Sequence, residues 1–597
     1  MVQNSRLRKQ GRIMKDTLKR LIKYITKRHR LLFIVTVVCV VVSALSSVAA
    51  YTYLSALVDR YITPLITMSD KNAGFKELFN ALLILMIFFV SGVIAQLIQG
   101  RVVAKMTHET MYELRKDMFD RMEFLPAKYF DTNARGEIMS VYTNDTDAIR
   151  LMISQGIPNI ISAVLTAVAI IAALLFLNIP LSLLSLLMVA LVMGVSMKII
   201  GSARGYYTEQ QQNLSSLNGY VEEIFSGQKV VKVFRREKIC EEEFSEINER
   251  LRKSAYQASK YTGIVSAVNM QAGNIVFYFL FAVLCSIFVI NGWGGMTIGK
   301  TIAFLSLSKT MNVPVVLASG QIYSCVTALA GAKRIFALID EESEKDSGEK
   351  IVRPEDIKGR VELRHVDFSY VPGKRILYDI NLNAEPGQKI AIVGSTGSGK
   401  TTITNLLNRF YDLDQGEILL DGTDILEYRK KDLRKLIGIV LQDTHLFTGS
   451  ILDNIRYGNP SLTDEECMEA AKKARAEDFI TRLPDGYNTI LTRDAGNLAE
   501  GQRQLLNIAR AVAADAPILI LDEATSSVDP KTEKLIQEGM DNLMKGRTSF
   551  VIAHRLSTIK NSDCIIVLDH GRILESGSHE ELMSKKGAYY KLYEHIA

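Results

Sequence analysis

The residues best equipped for chemistry stand in two short runs and at one lone position. The first run is GSTGSGKT, Gly394–Thr401. It follows KIAIV, Lys389–Val393, an unbroken β-branched stretch that reads as a buried strand, and it leads into a helical pattern. Glycines at this spacing let backbone N–H groups curl around phosphate oxygens, and the helix that follows directs its positive end at the anion. Gly394, Ser395, Thr396, Gly397, Ser398, Gly399, Lys400, Thr401 and Thr402 are therefore the candidate ATP cradle. Lys400 would reach the β- and γ-phosphates, and the Thr401 hydroxyl would bind Mg²⁺. The second run is Asp522-Glu523, at the end of the apolar stretch Ile518–Leu521. Adjacent carboxylates there suit nucleotide hydrolysis, with Asp522 on the metal and Glu523 polarising the attacking water. The lone position is His554, delivered by the run Ser549–Ala553 to contact the γ-phosphate or orient the water. The expected cofactors are ATP and Mg²⁺.

The elements that position these residues begin near Gly359, where short β-rich runs start to alternate with helical ones, the mark of a parallel sheet with crossovers. Glu341–Pro354 reads as a charged linker, which places a linker at 341–358 and a nucleotide-binding domain at 359–597. The six cysteines are scattered with no metal-ligand spacing and read as reduced thiols. The net charge of +6 is spread along the chain, without a basic stripe carrying interleaved aromatics, which argues against nucleic acid as a partner.

The first half is oily. Apolar runs long enough to cross a bilayer fall near Leu31–Val58, Leu78–Gln99, Ile157–Leu177, Leu181–Ile200, Asn274–Ile290 and Ile298–Gln321. A soluble core could explain one such run, not six. Residues 31–340 are thus expected to form a six-span membrane domain in a lipid bilayer. The first run follows a long basic segment and is too long for a signal-peptide core. The N-terminal segment and the long polar stretches after spans two and four are rich in Lys and Arg, so both termini are expected in the cytoplasm. In residues 1–30, Leu18, Leu21, Ile22 and Ile25 share one helical face and Lys15, Lys19 and Lys23 another, the pattern of a helix lying in the membrane surface. The two long inner stretches, folded back as helical hairpins, would reach well below the membrane.

Within the spans, ionisable residues are rare. Lys309, midway along span six, and Asn274, at the start of span five, are candidate substrate-pathway residues, against the plainer reading of a solvated or paired polar group.

Six spans followed by this nucleotide module resemble one half of an ATP-binding-cassette (ABC) exporter: an α-helical membrane domain fused to an α/β P-loop NTPase. The resemblance covers nearly the whole chain and is densest over Tyr370–His554. It implies that Tyr370, in DFSY, stacks on adenine. It implies that Gln442, in VLQD, binds Mg²⁺ and senses the membrane domain, and that Ser527, Val528 and Asp529 cross to a partner cassette. LPAKYFDTNARGEI and EEIFSGQKVVKVF look like the inner loops of these exporters, with coupling helices expected near Pro126–Asn133 and Glu209–Tyr220. Leu498, Ala499, Glu500, Gly501 and Gln502 occupy the signature, usually Leu-Ser-Gly-Gly-Gln, which faces the ATP of the opposite cassette.

The signature is where the match breaks. Ala499 removes a hydroxyl donor and a helix cap. A lost charge-assisted hydrogen bond costs about 1.5–3 kcal/mol, or about 10- to 150-fold in rate if it acts in the transition state. Glu500 brings a negative charge where glycine is common. The phosphate loop, Asp522, Glu523 and His554 match in full. The chain therefore reads as one half of a heterodimer in a cell membrane, with the partner chain supplying the better signature, and it would export small amphipathic compounds, drugs or lipids. A homodimeric flippase is the alternative. An ATP-gated channel or regulatory subunit is the rival of another class.

Overall fold

The computed structural model describes residues 2–67, 71–268, 273–442, 444–492, 495–522, 528–553 and 556–596, apart from the side chains at 2–13, 67, 71–73, 266, 273–277, 312–313, 315–320, 322–323, 556–557 and 595–596. Two compact units divide the chain: residues 1–123 with 135–341, and residues 124–134 with 342–597.

The first unit is helical. Every apolar run lies in a helix: Val2–Leu57, Lys71–Met122, Ile157–Leu177, Ile179–Ser226, Gly273–Ile290, and the pair Ile298–Thr310 and Asn312–Asp340. Among the described residues, four helical stretches are long and apolar enough to cross a membrane unaided, and Tyr278–Ile290 is a shorter apolar one. The turn between the third and fourth runs is set by Asn178. It leaves helical geometry (φ −166°, ψ 114°), and its side chain accepts from the Leu181 N–H at 3.1 Å, capping the next helix.

The N-terminal segment is helical and packs within its own unit. Helical geometry breaks at His29 (φ −124°, ψ 38°), just before the first apolar run. Ahead of that break the apolar face is spent on the protein itself, since Leu21 and Ile25 are buried and Ile22 is 37% exposed. Side chains beside them hold the segment to two other helices of the same unit. Tyr24 donates to Asp117 at 2.7 Å, and Arg28 pairs with Glu113 at 2.9 Å. Arg20 pairs with Asp340 and lies 4.2 Å from the Phe336 ring centroid. Leu21 and Ile25 are therefore docked on protein within this unit.

The second inner stretch differs from expectation. Glu209–Tyr220 lies inside the continuous 48-residue helix Ile179–Ser226, which passes through Gly219 without a break. The chain turns at Gly227 into the short helix Gln228–Val233, and Glu237–Ser266 returns. Apolar residues crowd this tip and are exposed, Phe225 at 79% and Val233 at 76%.

Among the described residues the second unit carries three sheets, the smallest a two-stranded pair of Gly449–Ser450 with Ile490–Leu491. The four-stranded antiparallel sheet runs in the order Leu377–Ala384, Val361–Phe368, Gln415–Leu420, Thr423–Asp424. The six-stranded sheet runs Arg572–Gly577, Cys564–Asp569, Lys389–Val393, Thr548–Ile552, Ile518–Asp522, Ile437–Val440, parallel except at its first strand. Its central strands are buried on both faces and alternate between two cores. Ala391, Val393, Leu519, Leu521 and Val551 enter one; Ile390, Ile392, Ile518, Ile520 and Phe550 enter the other.

A protein-docked N-terminal segment makes a specific prediction. Leu21→Ala should lower the stability of the purified protein by about 2–5 kcal/mol, the cost of a core cavity. Ile22→Ala, one position away on the exposed side, should leave the unfolding temperature nearly unchanged. A segment held only by lipid would respond equally to both.

Candidate functional site

The site is built by register. Thr548–Ile552 pairs in parallel with both Lys389–Val393 and Ile518–Asp522, so that Ile552 stands opposite Ile392 on one side and Asp522 on the other. The carboxyl ends of three neighbouring strands therefore meet along one sheet edge. The phosphate-type loop leaves from the first, Asp522 ends the second, and residue 554 lies just past the third. The strand Ile437–Val440 joins on the far side, with Val440 opposite Leu521, which brings Gln442 to the same edge. Glu523, Ser527 and His554 lie outside the described residues. Asn274 sits in a described helix, but its side chain lies outside them.

The loop has its form because of its glycines. Gly394, Gly397 and Gly399 have φ of 154°, 83° and 107°. A Cβ on Gly394 would sit 2.0 Å from the Leu568 carbonyl oxygen, so backbone crowding excludes any side chain there. Lys400 folds back over the loop and donates to the carbonyls of Gly394 and Ser395, both at 2.9 Å. Burial pushes its pKa below the usual lysine range, and the charge of Asp522 opposes that shift. The ammonium is thus partly dehydrated, hydrogen-bonded to two carbonyls and within the field of the Asp522 carboxylate. Ser398 is buried, and its hydroxyl has no hydrogen-bond partner among the described residues. Ser395, Thr396 and Thr401 are exposed, and Thr402 is buried against Tyr370, whose hydroxyl donates to it at 3.4 Å. A dehydrated cation, an unpartnered buried hydroxyl and freed backbone groups at a helix start form an anion cradle. The sheet register brings Asp522 and Gln442 to the same edge as the loop that carries Thr401, and oxygen donors of these types suit a hard cation such as Mg²⁺.

Tyr370 is set by packing. Its ring meets Phe368 and Tyr411 edge-on, both at 4.8 Å between centroids, and its hydroxyl accepts from Asn405 at 3.1 Å.

At the signature, Leu498 is buried and Ala499 is the exposed N-cap of the helix Glu500–Ala514. No side chain at 499 caps the helix, but the Gln502 side chain accepts from the Ala499 N–H at 3.0 Å, so half of the reciprocal cap remains. Glu500 pairs with Arg503 one turn on, which offsets the negative charge it brings to the helix start. Gly501 is where the signature touches the next loop. A Cβ there would fall 2.3 Å from Thr532 Cγ2 and 2.9 Å from Val528 Cγ1. Asp529 caps the neighbouring helix Pro530–Met544, accepting from the N–H groups of Lys531 and Thr532 at 3.1 and 3.0 Å. These hydrogen bonds hold its carboxyl below the usual range.

Sequence reasoning missed several residues of this region. Asp569, at the end of the strand beside the loop, accepts from the Ser395 hydroxyl at 3.3 Å. Its signal was an aspartate closing the apolar run IIVL before a glycine turn. Tyr411 donates to Asp131 at 2.6 Å, and Asp131 belongs to the short helix Ala127–Thr132, which clusters with this unit. No local pattern links positions so far apart in the chain.

Lys309 is exposed, and its ammonium lies 5.9 Å from the centroid of the Tyr278 ring in the neighbouring helix.

Comparison with known proteins adds to this geometry. Residues 33–315 match the ABC transporter transmembrane region, and residues 377–526 match the ABC transporter family proper. The chain is 38% identical, over 99% of its length and 96% of the relative's, to an uncharacterised ABC transporter ATP-binding protein of Bacillus subtilis. It is 40% identical, over 83% of its length and 78% of the relative's, to a fatty acid ABC transporter ATP-binding/permease protein of Mycobacterium bovis. A solved bacterial Atm1-family ABC exporter with ATP bound superposes with a TM-score of 0.74 at 27% identity, covering 95% of this chain and 98% of that one.

The contact at Gly501 yields a prediction. Gly501→Ala should displace the signature helix from the Val528 loop, costing about 1–3 kcal/mol of stability and lowering ATP turnover. Adding Thr532→Ser removes the nearer methyl and should recover part of both losses. Strict additivity of the two changes in a double-mutant cycle would show that the contact is not what fixes glycine at 501.

Proposed function

The chain belongs to the ABC transporter family, and on that premise we propose that it is one half of an ATP-driven exporter of amphipathic lipids or drugs, paired with a different half-transporter. The family identity makes it a multi-pass membrane protein whose ATPase domain lies in the cytoplasm and works as a dimer with transport coupled to ATP. The finer reading concerns the two ATP sites of that dimer. The observation that carries it is the contrast within one cassette, between a complete phosphate cradle and a signature helix whose N-cap carries no side-chain donor.

In this reading the backbone of Gly394–Gly399 and the ammonium of Lys400 hold the β- and γ-phosphates. Lys400 exchanges two neutral carbonyl acceptors for charged oxygens, a gain made larger by its burial. Mg²⁺ bound with the nucleotide would supply charge neutralisation at the phosphates. Thr401, Asp522 and Gln442 would hold it. Tyr370 offers its ring to adenine. Glu523 orients and polarises water, and His554 helps place it. On the far side of the dimer, Leu498–Gln502 presents a helix start to the partner's ATP with one donor fewer than usual, and the Glu500–Arg503 pair keeps that surface near neutrality. The fatty-acid relative supports an amphipathic cargo.

The test compares three preparations in nanodiscs: the chain alone, the chain with Ala499→Ser, and the chain co-expressed with a half-transporter that carries the serine. The chain alone should hydrolyse ATP weakly. The serine should raise its rate by about 10- to 150-fold, the worth of one hydrogen bond to a charged group, and so should a suitable partner. Glu523→Gln should abolish whatever rate is gained. A fast rate from the chain alone, lost in Glu523→Gln and unmoved by the serine, would establish a working homodimer instead.

A further inference from the structure

Lys309 is the charged group that the nucleotide machinery leaves without a role. It lies in the helix Ile298–Thr310, which starts just after the outer turn Trp293–Gly295. At ~1.5 Å per residue it sits roughly 16 Å below the start of that helix, near the middle of a ~30 Å hydrocarbon core. Ala303, Phe304, Leu307 and Ser308 fill the packed face of the helix. Lys309 is on the opposite face, shared with Ile298 and Ile302, which are 56% and 38% exposed.

The chain gives this cation no counter-charge. No Asp or Glu stands anywhere between Glu249 and Asp340, and none occurs in any of the apolar runs that cross the membrane. A second copy would bring no carboxylate either. Asp59, just past the first apolar run, is engaged at the start of the same helix, accepting from Thr297 and, at 2.8 Å, from the Gly299 N–H. The other lysine of the helix, Lys300, is satisfied at the outer turn, donating to the Gly295 carbonyl at 2.7 Å. Lys309 is too deep to snorkel that far. Among the described residues its ring contact is Tyr278 at 5.9 Å, the outer limit of a cation–π contact. An ammonium at mid-membrane depth persists where an anion or water reaches it, and such a residue marks a pathway.

We propose that Lys309 and the face of Tyr278 form a headgroup subsite that takes the carboxylate of a single-chain amphiphile such as a long-chain fatty acid, with Ile302 and Ile298 lying along its tail. This rests on the amphiphile-export reading above and narrows it from amphipathic compounds in general to anionic ones. The ammonium meets the carboxylate as an ion pair in a medium of low dielectric. The ring lends its quadrupole to the cation and an apolar wall to the first methylenes.

The experiment measures binding and ATPase stimulation by palmitate, hexadecanol and hexadecylamine, at a pH that ionises the carboxyl. It uses the full chain in zwitterionic nanodiscs, as wild type, Lys309→Ala and Lys309→Arg. Wild type should prefer palmitate over hexadecanol by at least 10-fold. Lys309→Ala should erase that preference while leaving basal ATPase and hexadecanol binding unchanged, and Lys309→Arg should restore it. A palmitate preference that survives Lys309→Ala, or none in wild type while hexadecanol still binds, overturns the subsite and leaves amphiphile export standing. If none of the three probes binds while basal ATPase is intact, the export reading falls and the subsite with it.

Discussion

The parallel pairing of three strands is the constraint on which the rest of the cassette depends. Thr548–Ile552 is hydrogen-bonded on both sides, and its register sets Ile392, Ile552 and Asp522 side by side. That register is fixed twice over, because alternate residues of all three strands enter two different cores. A slip of one residue would send Phe550 into the core that holds Val551 and would draw Asp522 back from the edge. The loop Gly394–Thr401 starts where this ladder stops. It can turn there only because Gly394 tolerates the Leu568 carbonyl against its Cα. The position of the phosphate cradle is thus a consequence of hydrophobic packing on both faces of the sheet.

The same unit shows how the cradle is joined to a piece of chain that is remote in sequence. Residues 124–134 cluster with the cassette, and the Glu344 N–H donates to the Phe124 carbonyl at 2.7 Å. Glu344 is itself held by Arg434 and Lys430. Burial works to raise its pKa, but those two cations outweigh burial and keep it below the usual range. From the other end, Asp131 accepts from Tyr411, Tyr411 packs on Tyr370, and Tyr370 bonds to Thr402 and Asn405 in the helix that leaves the phosphate loop. An unbroken run of side-chain contacts therefore connects the loop helix to the short helix Ala127–Thr132. Buried Arg409 closes the back of this assembly, donating to the carbonyls of Ile425 and Tyr428 and to the Ser347 hydroxyl.

Much of this was legible in the sequence where the physics is local. The strand KIAIV, the glycine spacing of the loop and the six apolar runs each announce themselves within a window of a few residues or a few helical turns. Less is legible where a local pattern has two physical outcomes. Leu21 and Ile25 on one helical face could be buried by lipid or by protein, and only tertiary packing against the helices carrying Asp117 and Phe336 chose protein. Glu209–Tyr220 is polar and carries Ser and Asn, yet it continues a helix. The helix runs on through Gly219, and the turn falls instead at Gly227, which leaves helical geometry (φ −90°, ψ 8°). Ala499 is a helix N-cap without a side-chain cap, and its neighbour Glu500 carries its charge in a pair. Glu500 does not stand as a lone charge, because Arg503 one turn later pairs with it, an i,i+3 relation that the sequence already contained. The link between Tyr411 and Asp131 had no sequence signal at all.

Two lysines show how one physical device recurs in both halves of the chain. Lys400 is buried in the cassette and rests on two neutral carbonyls. Lys309 stands at mid-membrane depth with an aromatic ring as its neighbour and no carboxylate anywhere in the spans. Pairing either ammonium tightly with a built-in carboxylate would have stabilised the folded chain and weakened its hold on an anionic ligand, because the ligand would then have to displace an equal charge. Leaving each cation's direct contacts to neutral groups, with the Asp522 charge near Lys400 acting only through space, shifts that interaction energy from folding to binding. In the cassette the anion so favoured is phosphate. In the membrane, where the dielectric is lower still and the face around the lysine is apolar, the anion that fits is one carried on a hydrocarbon tail.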